Sequence, residues 1–295
     1  MYLPKMITFY SSIMLLVVLL GCAAPNLPVQ MAKDAEQQIL ARTSGARNII
    51  GVLQTTEGFY GIATTLPLAV EEQMLRKQSW HQGCPVELSD LSYLALTHWG
   101  FDGQIKIGEL VVHRKLAVSL LNVFAELYAV HYPIEKMELI ENYNANDDLS
   151  MQANNSSAFN CRDITGKLGV FSKHSYGGAI DINPLQNPYI VPKSSALQAL
   201  GWDASTGKGD FLRRHGYDRT APVLSFCRAQ PEDCLVLPTA AREYIARNRE
   251  VTGCLQAGSA AVNAFIDQGF DWGGNWLNLL DYQHFEYANA QLLSE

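Results

Sequence analysis

The apolar residues of this chain follow two repeats, one typical of strands and the other typical of a helix. The runs LSYLALTHWGF (Leu91–Phe101) and IKIGELVVH (Ile105–His113) flank the turn residues of FDGQ, and this pattern predicts a β-hairpin. Residues 114–130 then predict an amphipathic helix. Its apolar positions recur at helical spacing: Leu116, Leu120, Phe124 and Leu127.

The remaining segments have weaker patterns. KMELIENY (136–143) is expected to form another strand, and PTAAREYIARN (238–248) and SAAVNAFIDQG (259–269) are expected to form short helices. Residues 144–162 are dense in Asn, Asp and Ser, which favour loops. Residues 193–234 are rich in glycine and charge without a clear period, and we expect them to form a long excursion on the surface.

The N-terminus predicts export. The apolar run MITFYSSIMLLVVLL after Lys5 is short for a spanning helix, which needs about 20 residues, but it fits a signal peptide. Leu19-Leu20-Gly21-Cys22 resembles a bacterial lipobox, which implies cleavage before Cys22 and lipidation of that cysteine. A plain secretory signal and an uncleaved anchor are the alternatives, and all three export the chain.

The chain is therefore expected to have three parts. Residues 1–21 are a lipoprotein signal peptide, and residues 22–84 are a tether and N-terminal extension with a weak helical pattern near 34–42. Residues 85–295 form the main domain, with an insertion at 194–234. Lipidation at Cys22 would hold the protein in the cell envelope, with Ala23 favouring the outer membrane and its periplasmic face.

Composition and charge exclude some classes of function. The chain of 295 residues is 48% hydrophobic and 17% charged, an ordinary globular balance. It has 22 Lys and Arg against 29 Asp and Glu, a net charge of -7, and no basic cluster, so we expect no nucleic-acid partner.

The cysteines can form disulfides in an exported protein. Five remain after Cys22, an odd number that leaves at least one free thiol. Cys227 and Cys234 are close in sequence and can close a small loop. The other three are Cys84, Cys161 and Cys254. There is no C-x-x-C pair, which argues against a thiolate zinc site or a redox dithiol.

Candidate chemistry is concentrated in SKHSYGGAIDINP (Ser172–Pro184). Gly177-Gly178 permits a tight turn with positive φ. In the AIDIN run that follows, Ile180 and Ile182 point to one face and Asp181 to the other, with His174 brought back by the turn. An imidazole and a carboxylate therefore face the same site.

A second segment, DYQHFEY (Asp281–Tyr287), alternates in the same way. His284 and Glu286 share one face, and Phe285 and Tyr287 share the apolar one. With the first segment it offers two histidines and a carboxylate, a common catalytic zinc set that leaves one position open. Asp281 is the candidate base for water bound there. This assignment requires a bend between Asp281 and His284, because they face opposite ways in a straight strand.

The order of the two motifs, S-x-H-x-x-G-x-A-x-D and then D-x-x-H, closely resembles the D-alanyl-D-alanine carboxypeptidase and L-alanyl-D-glutamate peptidase family of zinc peptidases. The resemblance also includes SMQANNSSAFNCR, DINPLQNPY and WGGNW, and it covers most of residues 91–287. It implies an α+β fold of the hedgehog and DD-peptidase type, a small antiparallel sheet with flanking helices and the zinc site on the sheet face. Residues 194–234 have no counterpart in the family.

The resemblance also assigns roles. His174, Asp181 and His284 are implied as ligands of one zinc ion per chain, and Asp281 as the base. Arg162 resembles the arginine that polarises the scissile carbonyl, with a structural salt bridge as its alternative role. Ser172 and Glu286 are expected to orient the histidines. Three aromatic residues line a peptide groove or belong to the core: Trp272, Trp276 and Tyr282.

These expectations describe a zinc peptidase that cleaves an amide bond in the stem peptide of peptidoglycan. The bond is either the D-alanyl-D-alanine bond or the L-alanyl-D-glutamate bond, so the enzyme is either a carboxypeptidase or an endopeptidase. The alternative from another class is a metal-bound, non-catalytic lipoprotein that binds the cell wall or a partner. A serine mechanism has little support: G-x-S-x-G is absent, and the S-x-x-K match at Ser205–Lys208 has neither S-D-N nor K-T-G elsewhere in the chain.

Overall fold

The computed structural model describes residues 27–164, 167–247, 251–289 and 293. The predicted signal peptide and lipobox, with Cys22, lie outside the described residues. In the described part of the chain, no helix has the length and apolar character needed to cross a membrane.

Helices and strands are mixed along the chain. The helices are α1 Leu27–Arg42, α2 Leu68–Lys77, α3 Ala117–Ala129, α4 Asp147–Gln152, α5 Ser194–Ala199, α6 Lys208–Arg214, α7 Pro222–Ala229 and α8 Ala260–Ile266. The strands are β1 Ile49–Gln54, β2 Tyr60–Thr65, β3 Leu91–Trp99, β4 Ile105–His113, β5 Lys136–Met137, β6 Asn155–Ser156, β7 Asp163–Ile164, β8 Lys167–Phe171, β9 Ala179–Asp181, β10 Tyr189–Pro192, β11 Cys234–Leu237, β12 Phe270–Trp272, β13 Leu280–Asp281 and β14 His284–Tyr287.

The largest sheet is antiparallel, with the order β1-β2-β3-β4. The predicted hairpin is confirmed, since β3 and β4 pair over nine residues each, from Leu91 opposite His113 to Trp99 opposite Ile105. The predicted helix is also confirmed as α3, which is preceded by one 3-10 turn. Apolar residues of α3, including Leu120 and Phe124, pack in one core with alternate residues of the sheet.

The opposite face of this sheet is covered by α1 and α2. Ile39 of α1 and Met74 of α2 are fully buried in a second core, together with Tyr93 of β3. Strand β1 pairs with β2, and β2 pairs directly with β3, so the boundary that we expected between residues 84 and 85 falls inside the fold. The expected tether is folded there because β2 carries a run of buried residues that needs a sheet on one side and helices on the other.

The other sheets are small and antiparallel, apart from a parallel pair β5-β6. One has the order β11-β10-β13 and another the order β12-β14-β9. The strand predicted at 136–143 is limited to β5, and a 3-10 turn follows it at Ile140–Tyr143. The segment predicted to be irregular, 144–162, contains α4 and β6. PTAAREYIARN forms a 3-10 helix at Thr239–Ala246, and α8 lies where the second short helix was expected.

Residues 194–234 leave the end of β10 and return on β11, which pairs with β10. This segment is more ordered than its sequence suggested, because it contains α5, α6 and α7 with buried apolar residues such as Phe211 and Phe226. The disulfide Cys227–Cys234 closes its end, as expected. A second disulfide joins Cys84 to Cys161, and among the described residues Cys254 is the free cysteine.

Candidate metal centre

Two short strands bring the candidate ligands together. In the pairing of β9 with β14, Asp181 lies directly opposite His284, and Ile180 lies opposite Phe285. Directly opposed residues of an antiparallel pair share a face, so the carboxylate and the imidazole point the same way. On the other face Ile180 and Phe285 are buried, and Phe285 stacks on Phe265.

His174 reaches this face from a short 3-10 turn at Lys173–Tyr176 rather than from a strand. The side chain of Ser172 accepts a hydrogen bond from His174 N and begins the turn. Gly177 ends it with a φ of 65°. A Cβ at Gly177 would lie 2.4 Å from His113 N, so the close approach to β4 also requires glycine here.

The three side chains are buried and converge on one point. His174 Nε2 lies 3.3 Å from Asp181 Oδ2 and 3.3 Å from His284 Nδ1, and His284 Nδ1 lies 3.0 Å from Asp181 Oδ1. Ligands at about 2.1 Å from a tetrahedral zinc ion are separated by roughly 3.4 Å. The donor set and its spacing therefore fit zinc.

The remaining ring nitrogens are held by oxygen acceptors. His174 Nδ1 donates to the carbonyl oxygen of Ala158 at 2.5 Å, and His284 Nε2 donates to Glu286 Oε2 at 3.2 Å. Each contact fixes a proton on the nitrogen that faces away from the cluster, which leaves the other nitrogen to act as ligand. Glu286 therefore contacts His284 on the side of the ring that faces away from the cluster.

The electrostatics of the cluster also suit a cation. Burial opposes the charge of Asp181, but the two imidazoles hold the pKa of this carboxyl far below its usual range. Burial also opposes the imidazolium form of His284, but hydrogen bonds to Asp181 and Glu286 outweigh it and raise the pKa to about 10. A metal ion would replace the proton on Nδ1 of His284, which faces the carboxylate.

Asp281 lies beside the cluster because the chain bends, as the assignment required. Asp281 ends β13, which pairs with β10, and β14 begins at His284 after a turn at Tyr282 and Gln283. Asp281 Oδ1 is buried and, within the part of the chain that the structure describes, has no hydrogen-bond partner. Burial, with the neighbouring Asp181 carboxylate, raises the pKa of Asp281 to about 6. A carboxyl group with a pKa near neutrality is suited to proton transfer.

Arg162 forms the salt bridge that was one of its two expected roles, and it also lies near the cluster. Its Nε forms an ion pair with Asp147 Oδ2. Burial lowers the pKa of Arg162, while the carboxylates of Asp181 and Asp281 favour its charged form. The guanidinium therefore interacts electrostatically with the cluster, while Asp147 provides its direct counter-charge.

Ser172 acts on the backbone of His174 and not on its ring, and two of the three aromatic candidates belong to the core and not to a groove. Ser172 begins the turn of His174 and does not contact the imidazole nitrogens. Trp272 and Tyr282 are buried, and Trp272 Nε1 donates to the carbonyl oxygen of Tyr282 at 2.8 Å, so both belong to the core. The partly exposed ring of Trp276 lies 5.6 Å from the ring of His284 and is the aromatic residue that borders the site.

The sequence did not indicate several groups that support the site. Asp147 lies in a segment read as a loop, and its Oδ1 accepts from the side chain of Asn160 at 2.8 Å. Ser175 Oγ accepts from Arg162 N and donates to Arg162 O. Ala158 contributes its backbone carbonyl oxygen. Every residue carries this group, so the residue type at this position does not indicate the role.

A second group of possible metal ligands is excluded, because two of its members form a disulfide. His81, Cys84 and Cys161 also lie within ligand distance of one another. The two sulfur atoms form the disulfide Cys84–Cys161 and have no thiolate to offer a metal.

Comparison with protein families identifies this part of the chain. Residues 165–287 match the family model described as D-alanyl-D-alanine carboxypeptidase. The match supports this peptidase family for residues 165–287, somewhat less than half of the chain. Peptidases of the family depend on zinc, and the match contains all three candidate ligands together with Asp281. Arg162 lies before its first residue. Neither the search of curated proteins nor the search of solved structures gave a match.

Proposed function

We propose that this protein is a zinc-dependent peptidase that hydrolyses an amide bond in the stem peptide of peptidoglycan. The observation that carries the proposal is the convergence of three buried ligand atoms, from His174, Asp181 and His284, beside the unpartnered carboxylate oxygen of Asp281. When bound, one zinc ion per chain would polarise the scissile carbonyl and make a water molecule more acidic.

The side chains of the site supply the proton transfers and part of the charge stabilisation. Asp281 accepts the proton of the attacking water and passes it to the leaving amine. The guanidinium of Arg162 stabilises the negative charge that develops on the carbonyl oxygen. The Oδ1 atom of Asp281 is available for this task because no group among the described residues donates a hydrogen bond to it.

The alternative is a metal-bound protein that binds the cell wall without cleaving it. A binding protein has no use for a carboxyl group with a pKa near 6 and an unsatisfied oxygen, which costs folding free energy. The position of Asp281 therefore favours catalysis.

Digestion of purified muropeptides followed by mass spectrometry tests the proposal. Release of D-alanine identifies a carboxypeptidase, and new termini inside the stem identify an endopeptidase. Asp281→Asn should keep one zinc per chain and lose a factor of roughly 10² to 10⁴ in turnover. A zinc-loaded protein that binds muropeptides and releases no product would support the binding alternative instead.

We also propose that the protein is anchored in the cell envelope by lipid on Cys22, with the outer membrane and its periplasmic face as the expected location. The support is the lipobox at Leu19–Cys22 and a substrate that lies in the envelope. Cys22→Ser should release the protein from membranes or leave its signal peptide uncleaved. A Cys22→Ser variant that fractionates with membranes and migrates as the wild type does would contradict the assignment.

A further inference from the structure

Tyr189 occupies a position at the site that its sequence did not reveal. It is the first residue of β10 and lies directly opposite Asp281 of β13 in an antiparallel pair. Opposed residues in such a pair have Cβ atoms about 5 Å apart and side chains on the same face. The phenol of Tyr189 therefore lies on the face from which Asp281 reaches the cluster.

The hydroxyl group of Tyr189 is available to a ligand. Tyr189 is partly exposed, and among the described residues its hydroxyl has no hydrogen-bond partner. The hydroxyl groups of Tyr132 and Tyr143, by contrast, donate to Gly253 O and Glu138 Oε2. A polar group beside the reacting centre that the protein itself leaves unpaired is a candidate for contact with substrate.

The charge around Tyr189 keeps it a donor. Burial, with the negative charge of Asp281, raises the pKa of Tyr189 to about 12, so the neutral phenol is the form present near pH 7. A phenol in this form donates one hydrogen bond and does not act as a base. Its chemistry therefore complements that of Asp281, which accepts the proton.

We propose that Tyr189 is a further catalytic residue, whose O–H donates a hydrogen bond to the oxyanion that forms on the scissile carbonyl. The inference rests on the proposed peptidase function. The water oxygen forms a bond to the carbonyl carbon, and the electron pair of the C=O bond moves to the oxygen atom. That pair returns when the C–N bond breaks and the amine takes the proton held by Asp281. Tyr189 keeps its own proton throughout.

Two donors then approach the developing charge. Arg162 brings a positive charge from the segment before β7, and Tyr189 brings a neutral O–H from β10. Both groups are close enough to Asp281 for its charge to affect their pKa values. The oxyanion of the intermediate bears more charge than the ground-state carbonyl, so both donors act mainly on turnover.

Tyr189→Phe removes the hydroxyl and leaves the ring, and Tyr287→Phe is the matched control. Tyr287 is also partly exposed and its hydroxyl has no partner among the described residues, but its ring packs at the edge of Phe270 on the apolar face of β14. Tyr189→Phe should lower kcat about 100-fold with KM changed by less than about threefold. Tyr287→Phe should leave both constants unchanged.

A second measurement does not depend on turnover. A phosphinate analogue of the cleaved dipeptide mimics the tetrahedral intermediate, and its dissociation constant can be measured by calorimetry. Tyr189→Phe should weaken its binding by a factor similar to the loss in kcat, while zinc content stays at one per chain. Binding of the uncleaved peptide to Asp281→Asn should not change when Tyr189→Phe is added, because that ligand bears no oxyanion.

Three outcomes would overturn the inference, and they separate it from the proposed function. If the wild type cleaves muropeptides and Tyr189→Phe matches it in kcat and in phosphinate affinity, Tyr189 is not catalytic and the peptidase function stands. If Tyr189→Phe raises KM alone, the hydroxyl binds the ground state and not the oxyanion. If the zinc-loaded wild type cleaves no wall peptide, the proposed function fails and the inference fails with it.

Discussion

The four-stranded sheet and the sheets that carry the metal centre are built in opposite ways. Strands β1 to β4 are six to nine residues long and pair in chain order. Strands β9, β12, β13 and β14 are two to four residues long. The pair Asp181–His284 joins positions 103 residues apart. The first region is a frame whose contacts are largely local, whereas the second exists only because distant segments meet.

The difference shows how the frame and the site depend on each other. The family match covers residues 165–287 and contains the ligands, but groups outside it complete the centre. Ala158 O accepts a hydrogen bond from the ring of His174, and the charge of Arg162 interacts with the carboxylates of Asp181 and Asp281. His113 N at the end of β4 donates to Gly177 O at 2.8 Å, which fixes the turn of His174 to the frame.

The largest effect is expected from removal of the central ligand. Asp181→Ala should reduce bound zinc from one per chain to near zero and abolish hydrolysis, because the two histidines lose the carboxylate that they share. The frame should keep its fold, since the ligand lies outside the four-stranded sheet. Metal analysis and circular dichroism measure the two effects. Asp271→Asn, an exposed position in β12, is the control and should retain full zinc. A variant that keeps stoichiometric zinc would remove the basis of the site.

The two disulfides should differ in what they stabilise. Cys84–Cys161 closes 77 residues and joins the frame to the residue before Arg162, whereas Cys227–Cys234 closes 7 residues in the insertion. Loop-closure entropy predicts losses of about 4 and about 2 kcal/mol in the free energy of unfolding when each pair is replaced by alanine. Denaturant unfolding measures the losses. Equal losses for the two pairs would show that loop length does not determine how much each disulfide stabilises the fold.

The free energy of unfolding should depend on pH through a histidine in the four-stranded sheet, His98 of β3. Burial lowers the pKa of His98 to about 4, so the folded protein keeps this ring neutral while the unfolded chain takes up a proton below about pH 6.5. The resulting stability is complete above pH 6.5 and is lost as the pH falls towards 4. His98 should contribute a loss of about 2 kcal/mol between pH 7 and pH 5. His98→Gln should lack this part of the pH dependence in urea unfolding. An identical pH dependence in the variant would contradict the assignment.

The smallest effect is expected from the residue that holds Arg162. Asp147→Asn keeps an oxygen for the amide of Asn160 but removes the counter-charge of the guanidinium, which is then drawn towards Asp181 and Asp281. We expect kcat to fall about 10-fold with zinc retained. Asp147→Glu should restore part of the loss, whereas a purely structural role would not respond to charge. The neighbouring exposed Asp148 provides the control, and Asp148→Asn should match the wild type. A loss of equal size in both variants would exclude a specific role for Asp147.

The local sequence pattern was enough to predict several strands and helices and the residue types that act as candidate metal ligands. Alternation in AIDIN and HFEY separated Asp181, His284 and Glu286 from their apolar neighbours, because the period of two in a strand depends only on adjacent residues. The same reasoning predicted the β3-β4 hairpin, whereas the bend after Asp281 was required by the assignment of Asp281 as the base. These features were accessible from the sequence because their causes lie within a few residues.

Only the tertiary structure decided which distant groups meet. The register that sets Asp181 opposite His284, and Tyr189 opposite Asp281, depends on pairings between segments that no local period connects. The carbonyl of Ala158 orients His174 through a backbone atom that every residue carries, so no residue type could signal it. Residues 49–65 resembled a tether because their burial depends on a sheet and helices supplied by other parts of the chain.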